Sequence, residues 1–249
     1  MHNLSGQIAL VTGASRGLGR AAAFRLAEQG AHVIVHYGAN QEAAEAVVAQ
    51  IRRDGGQADA IGVDLAAVDG AHRLVEAVRA LRINHLNVVV ASAGIAEPAL
   101  LGDQTVEAFD RHFAINVRAP FFLVQQLLPL LGEASSIIFV SSVAARSAVD
   151  GLSVYSATKG AVNVLVRNLA KELGQRGIRV NAVSPGAIDT DMGQVLLSTN
   201  DGREMIKGLQ ALKRIGQPDD VADAVLFLAS NHSRWVTGES IDTSGGARL

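Results

Sequence analysis

The sequence predicts an α/β fold in which a parallel, doubly wound sheet of seven strands is covered by helices on both faces. Short apolar runs rich in β-branched residues alternate with longer segments of helical period along the whole chain. The runs are apolar almost throughout, as is typical of strands that are buried on both faces. Because the 249 residues contain no linker, repeat or low-complexity tract, we expect a single domain over residues 1–249.

The predicted strands are bounded by glycines or polar residues. They are residues 8–12, 32–36, 58–63, 87–91, 137–141, 178–183 and 239–243. The predicted helices fill the intervals, at about 17–29, 41–53, 68–81, 105–131, 154–175 and 219–230. Gly30 and Gly177 stand where two of these helices should end.

Residues 189–214 interrupt the alternation, and we expect them to form a mobile loop that serves as a substrate lid. Its apolar residues would form a wall of the substrate pocket, or they would only pack the lid down. These residues are Met192, Val195, Leu196 and Leu197.

The composition excludes several classes of function. A formal net charge of -2 without a run of basic residues predicts no nucleic-acid partner. The chain has no cysteine, and its seven histidines lack ligand spacing, so we predict no metal site. The N-terminus lacks the pattern of a signal peptide, and no apolar run approaches the roughly 20 residues of a membrane helix. We therefore expect a cytoplasmic protein without membrane contact.

The stretch TGASRGLG, residues 12–19, lies between the first predicted strand and the first predicted helix. Glycines in this position let the backbone turn sharply and let a pyrophosphate approach the free amides of the helix N-terminus. The strand–turn–helix setting favours a Rossmann-type dinucleotide site over a structural turn. The predicted cofactor contacts in the loop are Gly13, Ser15, Arg16, Gly17, Leu18 and Gly19.

The stretch YSATK places Tyr155 and Lys159 four residues apart, on one face of a long predicted helix. An ammonium group beside a phenol favours the phenolate, which helps the phenol to exchange protons near neutral pH. Ser142 follows the fifth predicted strand, at the carboxyl edge where open α/β sheets bind ligands. The three residues together predict a catalytic site, although each alone arises often by chance.

With these motifs in this order, the chain resembles the short-chain dehydrogenase/reductase superfamily over nearly its whole length. The other matching pieces are SAG at 92–94, INV around Asn116, SPGAIDTDM at 184–192 and TGESIDTSGG at 237–246. The resemblance implies an oxidoreductase that interconverts a carbonyl and a secondary alcohol by hydride transfer.

The resemblance also implies a role for each catalytic residue. Tyr155 would be the general acid in reduction and the base in the reverse direction, and Ser142 would orient the substrate carbonyl. Lys159 would bind the nicotinamide ribose hydroxyls and depress the pKa of the tyrosine. Asn116 would hold a water that links Lys159 to solvent. The other implied cofactor contacts are Asp64, Leu65, Gly94, Pro185, Gly186, Ile188 and Thr190, with turn-capping as the competing role of Asp64.

The chain departs from the family pattern at ASAG, residues 91–94, where the family has N-N-A-G, and at Asn87, where the family has an aspartate. We expect the change at Ala91 to affect stability more than chemistry.

The predicted cofactor is NADP(H) in preference to NAD(H). Enzymes of this fold that prefer NAD usually carry an acidic residue at the end of the second strand, and none lies between Glu28 and Glu42. The strand ends instead with His36 and Tyr37, which we predict to contact the cofactor. Arg16 would pair with the 2′-phosphate, or it would be a solvated loop residue.

Within the superfamily the chain is most similar to 3-oxoacyl-[acyl-carrier-protein] reductases, which implies a 3-oxoacyl thioester substrate. Support for an acidic carrier protein is divided, because Arg176 matches a basic position of that family whereas residues 130–136 contain Glu133 and no basic residue. A free small ketone as substrate, or a non-catalytic NADP-binding sensor, are the alternatives. An apolar arc on the helix 154–175, wider than one sheet contact needs, predicts a homotetramer.

Overall fold

In the computed structural model, which describes residues 3–247, these residues form one seven-stranded parallel sheet. The strands are β1 Ile8–Val11, β2 His32–Tyr37, β3 Gln57–Gly62, β4 Leu86–Ala91, β5 Leu131–Val140, β6 Arg179–Pro185 and β7 Ser240–Thr243. Their order across the sheet is β3-β2-β1-β4-β5-β6-β7. Successive strands are added toward one edge of the sheet from β1 to β3 and toward the other edge from β4 to β7, so the order switches between β1 and β4. Open α/β sheets bind ligands in the crevice at such a switch point. The predicted fold class is confirmed.

Helices cover both faces of the sheet. They are α1 Gly17–Glu28, α2 Gln41–Arg53, α3 Gly70–Ala80, α4 Val106–Phe113, α5 Ala119–Leu127, α6 Ser153–Leu173, α7 Gln194–Leu197, α8 Asn200–Leu209 and α9 Pro218–Ala229. One hydrophobic core joins the sheet to α3, α5 and α6, and the other joins it to α1, α2 and α9. Burial on both faces explains why the strands are apolar almost throughout.

The predicted helix 105–131 is interrupted in the structure. A π-helical turn, Ala114–Arg118, separates α4 from α5, and β5 begins at Leu131 rather than at residue 137. The early part of β5 is irregular, since the partners of Leu86 and Val88 on β5 are Leu131 and Ser136. This polar, bulged segment does not have the sequence pattern of a strand, which is why the prediction began the strand too late.

Residues Val106–Leu130 are long and apolar enough, by length and composition alone, to cross a membrane, with a mean hydropathy of 1.2. Core helices of water-soluble proteins pass the same test, so this is weak support for a membrane span. The inner face of the stretch, including Leu123 and Leu127, is buried in the core beneath the sheet.

The predicted lid, residues 189–214, contains the helices α7 and α8 rather than a continuous loop, and its role as a lid stays a prediction. The Thr199 side chain caps α8 by accepting the N–H of Gly202 at 3.0 Å. Leu197 and Ile206 form a small buried cluster with Ile215. Leu197 therefore packs the segment down, whereas Met192 and Val195 are exposed, and whether the segment moves stays a prediction.

Candidate active site at the carboxyl edge of the sheet

The glycine loop after β1 has a backbone that side chains would obstruct. Gly13 and Gly17 have φ angles of +64° and +56°, in the left-handed region that glycine adopts without strain. A Cβ on Gly13 would lie 2.9 Å from the Cα of Ala93, and a Cβ on Gly19 would lie 2.3 Å from the carbonyl oxygen of Gly13. Glycines are therefore required for the loop to pack against Ala93 and against α1, whose N-terminus is a typical site for a phosphate. Ser15 and Leu18 are half-buried in the same loop.

His36 lies behind this loop. Its Nδ1 accepts the N–H of Gly13 at 3.2 Å, and its Nε2 contacts the carbonyl oxygen of Val63 at 2.9 Å. Burial lowers the pKa of His36 to about 4, so the ring is neutral at physiological pH. Both ring nitrogens are engaged with the protein backbone, so they are not available to the cofactor, and the predicted contact of His36 with the cofactor stays a prediction.

Thr12 joins the glycine loop to the turn after β4, a role that sequence reasoning missed. Its hydroxyl accepts the N–H groups of Ser92 and Ala93, each at 3.0 Å. At the other end of β4, the Asn87 side chain accepts the N–H of Ile8 at 2.9 Å. These bonds brace the two central strands although the family motif is altered at Ala91. The only feature of the sequence that indicates this role is the position of Thr12 at the end of an apolar strand.

Ser142, Tyr155 and Lys159 meet at the carboxyl edge of the sheet. Ser142 caps a short helical turn by accepting the N–H of Ala144 at 3.1 Å, and its side chain hydrogen-bonds to the phenol of Tyr155. Burial raises the pKa of Tyr155, and the hydrogen bond from Ser142 opposes that rise. The phenol is therefore protonated at neutral pH and can donate a proton.

Lys159 is almost fully buried beside the tyrosine. Its Nζ lies 5.5 Å from the centre of the Tyr155 ring and donates to the carbonyl oxygen of Val140 at 2.7 Å. Burial lowers the pKa of Lys159 to about 8, so the ammonium form still prevails at pH 7. A cation here favours the phenolate that remains after proton donation.

Asn116, on the π-helical turn, lies beside Gly94. The amide of Asn116 accepts the N–H of Ile95 at 2.9 Å and donates to the Ile95 carbonyl at 2.9 Å and to the Thr158 hydroxyl at 3.1 Å. A Cβ on Gly94 would lie 3.2 Å from Asn116 Oδ1 and 3.7 Å from Lys159 Nζ. The Asn116 side chain thus connects the β4 loop to α6. The predicted water relay is not tested by these bonds.

The segment that follows Ile95 is held by α4 and by the loop before α6. His112 is fully buried, and its Nε2 accepts the N–H of Glu97 at 3.1 Å while its Nδ1 contacts the Ala108 carbonyl at 2.7 Å. The N–H of Ala99 donates to the carbonyl of Gly151 at 2.9 Å. These bonds fix one side of the entrance to Ser142 and Tyr155, and sequence reasoning missed His112 altogether.

The segment after β6 forms the opposite side. Pro185 ends the strand, and a Cβ on Gly186 would lie 2.9 Å from the Cβ of Ser244. Ile188 is buried in the core, so its side chain is placed for packing rather than for ligand contact. Thr190 accepts the N–H of Gly193 at 3.2 Å, and its methyl group is the nearest neighbour of a Cβ built on Gly17, at 3.7 Å.

The side chains predicted to contact the adenosine half of the cofactor make contacts within the protein. Asp64 accepts the N–H of Ala66 at 2.8 Å, the turn-capping role that competed with cofactor contact. The Leu65 side chain is buried in the core, and its contact with the cofactor stays a prediction. The Tyr37 ring lies against Gly62 of β3, where a Cβ would come within 2.6 Å of the ring.

Arg16 faces the segment after β6 across the crevice. Its guanidinium lies 3.4 Å from a carboxylate oxygen of Asp191, and both side chains are about three-quarters exposed. The side chain is neither buried nor tied to its own loop, and it lies at the rim of the glycine cradle. Over residues 3–247, no three histidine, aspartate or glutamate side chains are grouped to hold a metal ion.

Sequence comparisons with known proteins match the chain over nearly its whole length. The family model described as enoyl-(acyl carrier protein) reductase matches residues 13–248. Versicolorin reductase 1 of Aspergillus parasiticus is 41% identical, over 99% of this chain and 98% of the relative. A probable tetrahydroxynaphthalene reductase of Zymoseptoria tritici is 37% identical, over 98% and 95%.

Two solved structures of the ketoreductase LanV also superimpose on the chain. The angucycline C-6 ketoreductase with bound NADP has a TM-score of 0.94 and 39% identity, and the form with NADP and rabelomycin has a TM-score of 0.91 and 37% identity. Each comparison covers 100% of this chain and 98% of LanV.

Proposed function

This chain belongs to the short-chain dehydrogenase/reductase superfamily and is a ketoreductase, and we propose that it uses NADPH to reduce the ketone of a polyketide-type small molecule. The observation that carries the proposal is the half-buried Tyr155 phenol, hydrogen-bonded to Ser142 and next to the Lys159 ammonium. A protonated phenol beside a cation is suited to donate to a carbonyl oxygen that gains negative charge.

The residues present fit a nicotinamide dinucleotide. The glycine loop would hold the pyrophosphate at the N-terminus of α1, because the glycines allow the sharp turn that brings the loop to that terminus, and Lys159 would hold the nicotinamide ribose. When bound, NADPH supplies the hydride. The chain orients the ketone through Ser142 and delivers the proton from the Tyr155 hydroxyl to the ketone oxygen. Lys159 then stabilises the phenolate until a proton is regained from solvent.

The proposed preference for NADP(H) is supported by the absence of a carboxylate on β2 or in the turn to α2, where it would repel a 2′-phosphate. Arg16 supplies the positive charge at the rim of the cradle. The bound NADP in the LanV structures agrees with this assignment.

A polyketide-type ketone is favoured over a 3-oxoacyl thioester. The relatives named above include reductases of versicolorin and of a tetrahydroxynaphthalene, and LanV was solved with rabelomycin. Exposed apolar side chains occur in both segments that leave the carboxyl edge of the sheet here, Leu100 and Leu101 after β4 and Met192 and Val195 after β6. Such surfaces suit a large apolar substrate.

A carrier protein has little support from the charges near the site. Arg176 precedes β6, so it lies at the amino edge of the sheet, opposite the catalytic residues. Its guanidinium donates to the carbonyl oxygens of Leu128 and Leu131 at 2.9 and 2.7 Å. The acidic Glu133 is on β5, before the buried part of that strand, and so lies at the same remote edge.

The homotetramer stays part of the proposal. On α6, Val162 and Val166 face the core, whereas Val164 is about half exposed. Nearby, Phe109 stacks on Phe113 with ring centres 4.7 Å apart, and Phe122 is also exposed. Exposed apolar side chains of this kind suit burial against another copy, and light scattering at micromolar concentration would show a monomer if the proposal is wrong.

The test is the initial rate of NADPH oxidation with three substrates: a fused-ring ketone such as 1-tetralone, an acetoacetyl thioester and a small acyclic ketone. We expect the fused-ring ketone to have the highest kcat/KM, and Tyr155→Phe to lower its turnover by about a hundredfold or more because the proton donor is lost. Ser142→Ala is the matched variant that keeps the acid but removes its partner. Faster turnover of the thioester would overturn the substrate class, and NADPH binding without any turnover would favour a sensor.

A further inference from the structure

We infer that His36 is a positioning residue of the cofactor site, which acts by accepting the Gly13 amide on Nδ1 and so fixing the glycine cradle. The inference rests on the proposed use of NADPH. It assigns to His36 no contact with the cofactor, and it separates the roles of the two ring nitrogens.

The imidazole connects the carboxyl ends of three adjacent strands. His36 lies on β2, Gly13 follows β1, and Val63 follows β3. Nδ1 meets the N–H of Gly13 at 3.2 Å, and Nε2 meets the carbonyl oxygen of Val63 at 2.9 Å. The side chain is 2% exposed, so water does not compete for either bond.

The two backbone partners determine the tautomer. The Val63 carbonyl can only accept, so Nε2 must carry the hydrogen. The Gly13 N–H can only donate, so Nδ1 must be unprotonated. A protonated ring would set two N–H groups against each other at Gly13, and the lowered pKa of His36 agrees with a ring that stays neutral.

The bond to Gly13 adds a side-chain restraint to a loop that is otherwise held by main-chain bonds and by close packing. Gly13 has a φ of +64° and no side chain. The main-chain hydrogen bond between the loop and β2 is made by the next residue, because the N–H of Ala14 donates to the His36 carbonyl at 2.9 Å. Without the Nδ1 acceptor, the Gly13 N–H would lose the partner that sets its orientation, and the loop would be held by the neighbouring main-chain bonds and by packing alone. A cradle that must be ordered on binding holds the pyrophosphate less tightly.

A matched pair of variants tests which nitrogen matters. His36→Asn places an amide oxygen near the position of Nδ1 and can still accept from Gly13, whereas His36→Gln places an amide nitrogen near Nε2 and can still donate to Val63. Each variant therefore keeps one bond and loses the other. Isothermal titration calorimetry with NADP+ gives the dissociation constant without requiring catalysis, and steady-state kinetics with 1-tetralone gives kcat and the KM for NADPH.

We expect His36→Gln to raise the dissociation constant for NADP+ about tenfold, and His36→Asn to leave it within about threefold of the unmodified protein. The KM for NADPH should follow the same order, while kcat at saturating NADPH stays within about twofold. Equal weakening in both variants, or the reverse order, would show that the ring only supports the sheet and would overturn the inference. Failure of the unmodified protein to bind NADP+ would instead refute the proposed function.

A measurement on the unmodified protein covers the case in which a variant does not fold. Long-range proton–nitrogen NMR spectra distinguish the two neutral tautomers of histidine. A hydrogen on Nε2 of His36 is the expected result. A hydrogen on Nδ1 would remove the acceptor from Gly13 and overturn the inference directly.

Discussion

Replacing Lys159 by methionine should stabilise the protein at neutral pH while abolishing catalysis. Lys159 is 6% exposed, and burial lowers its pKa from an ordinary 10.5 to about 8. At pH 7 the folded protein therefore holds an ammonium that the unfolded chain solvates better. This difference in pKa costs the folded state about 3 kcal/mol at pH 7, a cost that methionine does not carry.

The lost hydrogen bond offsets part of this gain. Lys159 Nζ donates to the Val140 carbonyl at 2.7 Å, and leaving that carbonyl unpaired costs about 1 kcal/mol. The expected net stabilisation by Lys159→Met is therefore about 2 kcal/mol at pH 7.

The difference in stability depends on pH in a defined direction. Between pH 8 and 10.5 the unfolded chain keeps the lysine proton that the folded protein has released, so the stability of the unmodified protein rises with pH. Below pH 8 both states are protonated and the penalty is constant. The advantage of the methionine variant should thus shrink by about 1 kcal/mol between about pH 7 and pH 9.

Urea unfolding at pH 7 and pH 9 measures the difference in the free energy of unfolding between the two proteins. Circular dichroism is the signal, because Trp235 is 97% exposed and its fluorescence reports poorly on the fold. Lys159→Arg is the control, since its charge does not titrate in this range and its stability should show no such rise. A methionine variant less stable than the unmodified protein at pH 7, or an advantage that does not shrink by pH 9, would refute this account of the site's electrostatics.

Three further outcomes are expected. Asp191→Asn should free Arg16 for the 2′-phosphate and tighten NADPH binding by less than about fivefold, with NADH binding unchanged. Fluorescence titration measures both affinities. An NADPH affinity equal to that of the unmodified protein, or a gain in affinity that persists at high salt, would contradict this. His112→Phe should leave the Glu97 amide without its acceptor and raise the KM for the ketone about tenfold, while the KM for NADPH stays unchanged. A KM for the ketone equal to that of the unmodified protein would contradict this. The rate of ketone reduction should fall as the pH rises through about 8, because Lys159 then loses its proton, and a flat profile to pH 10 would disprove a role for that charge.

The sheet and its two helical layers could be predicted because burial on both faces leaves a clear pattern in the sequence. The strand near residues 87–91 was predicted within one residue, since its valines are buried on both sides. The break in the helix 105–131 could not be predicted. Its π-helical turn includes Asn116, whose side chain bonds to Ile95 and Thr158, and such distant partners leave no periodicity in the sequence.

The proximity of the proposed catalytic residues was easier to predict than the side chains packed around them. Spacing places Tyr155 and Lys159 on one helix face, and strand ends bring Ser142 to the same edge of the sheet. The orientation of a side chain at a strand end is a different question, because neighbouring residues of a strand point to opposite faces. The sequence position of His36 is consistent with a cofactor contact, whereas its burial and its two backbone bonds place it behind the loop.

Thr12, His36, Asn116 and His112 share one physical feature: each is a buried polar side chain that bonds to the backbone of a loop bordering the site. A buried polar group is costly unless its hydrogen bonds are satisfied, so each of them stabilises the fold only in the loop conformation that satisfies it. The loops are thereby held before any ligand arrives, and less ordering remains to be done on binding. A change at Thr12, His36 or His112 should therefore alter binding constants more than kcat, whereas a change at Tyr155 or Lys159 should lower kcat.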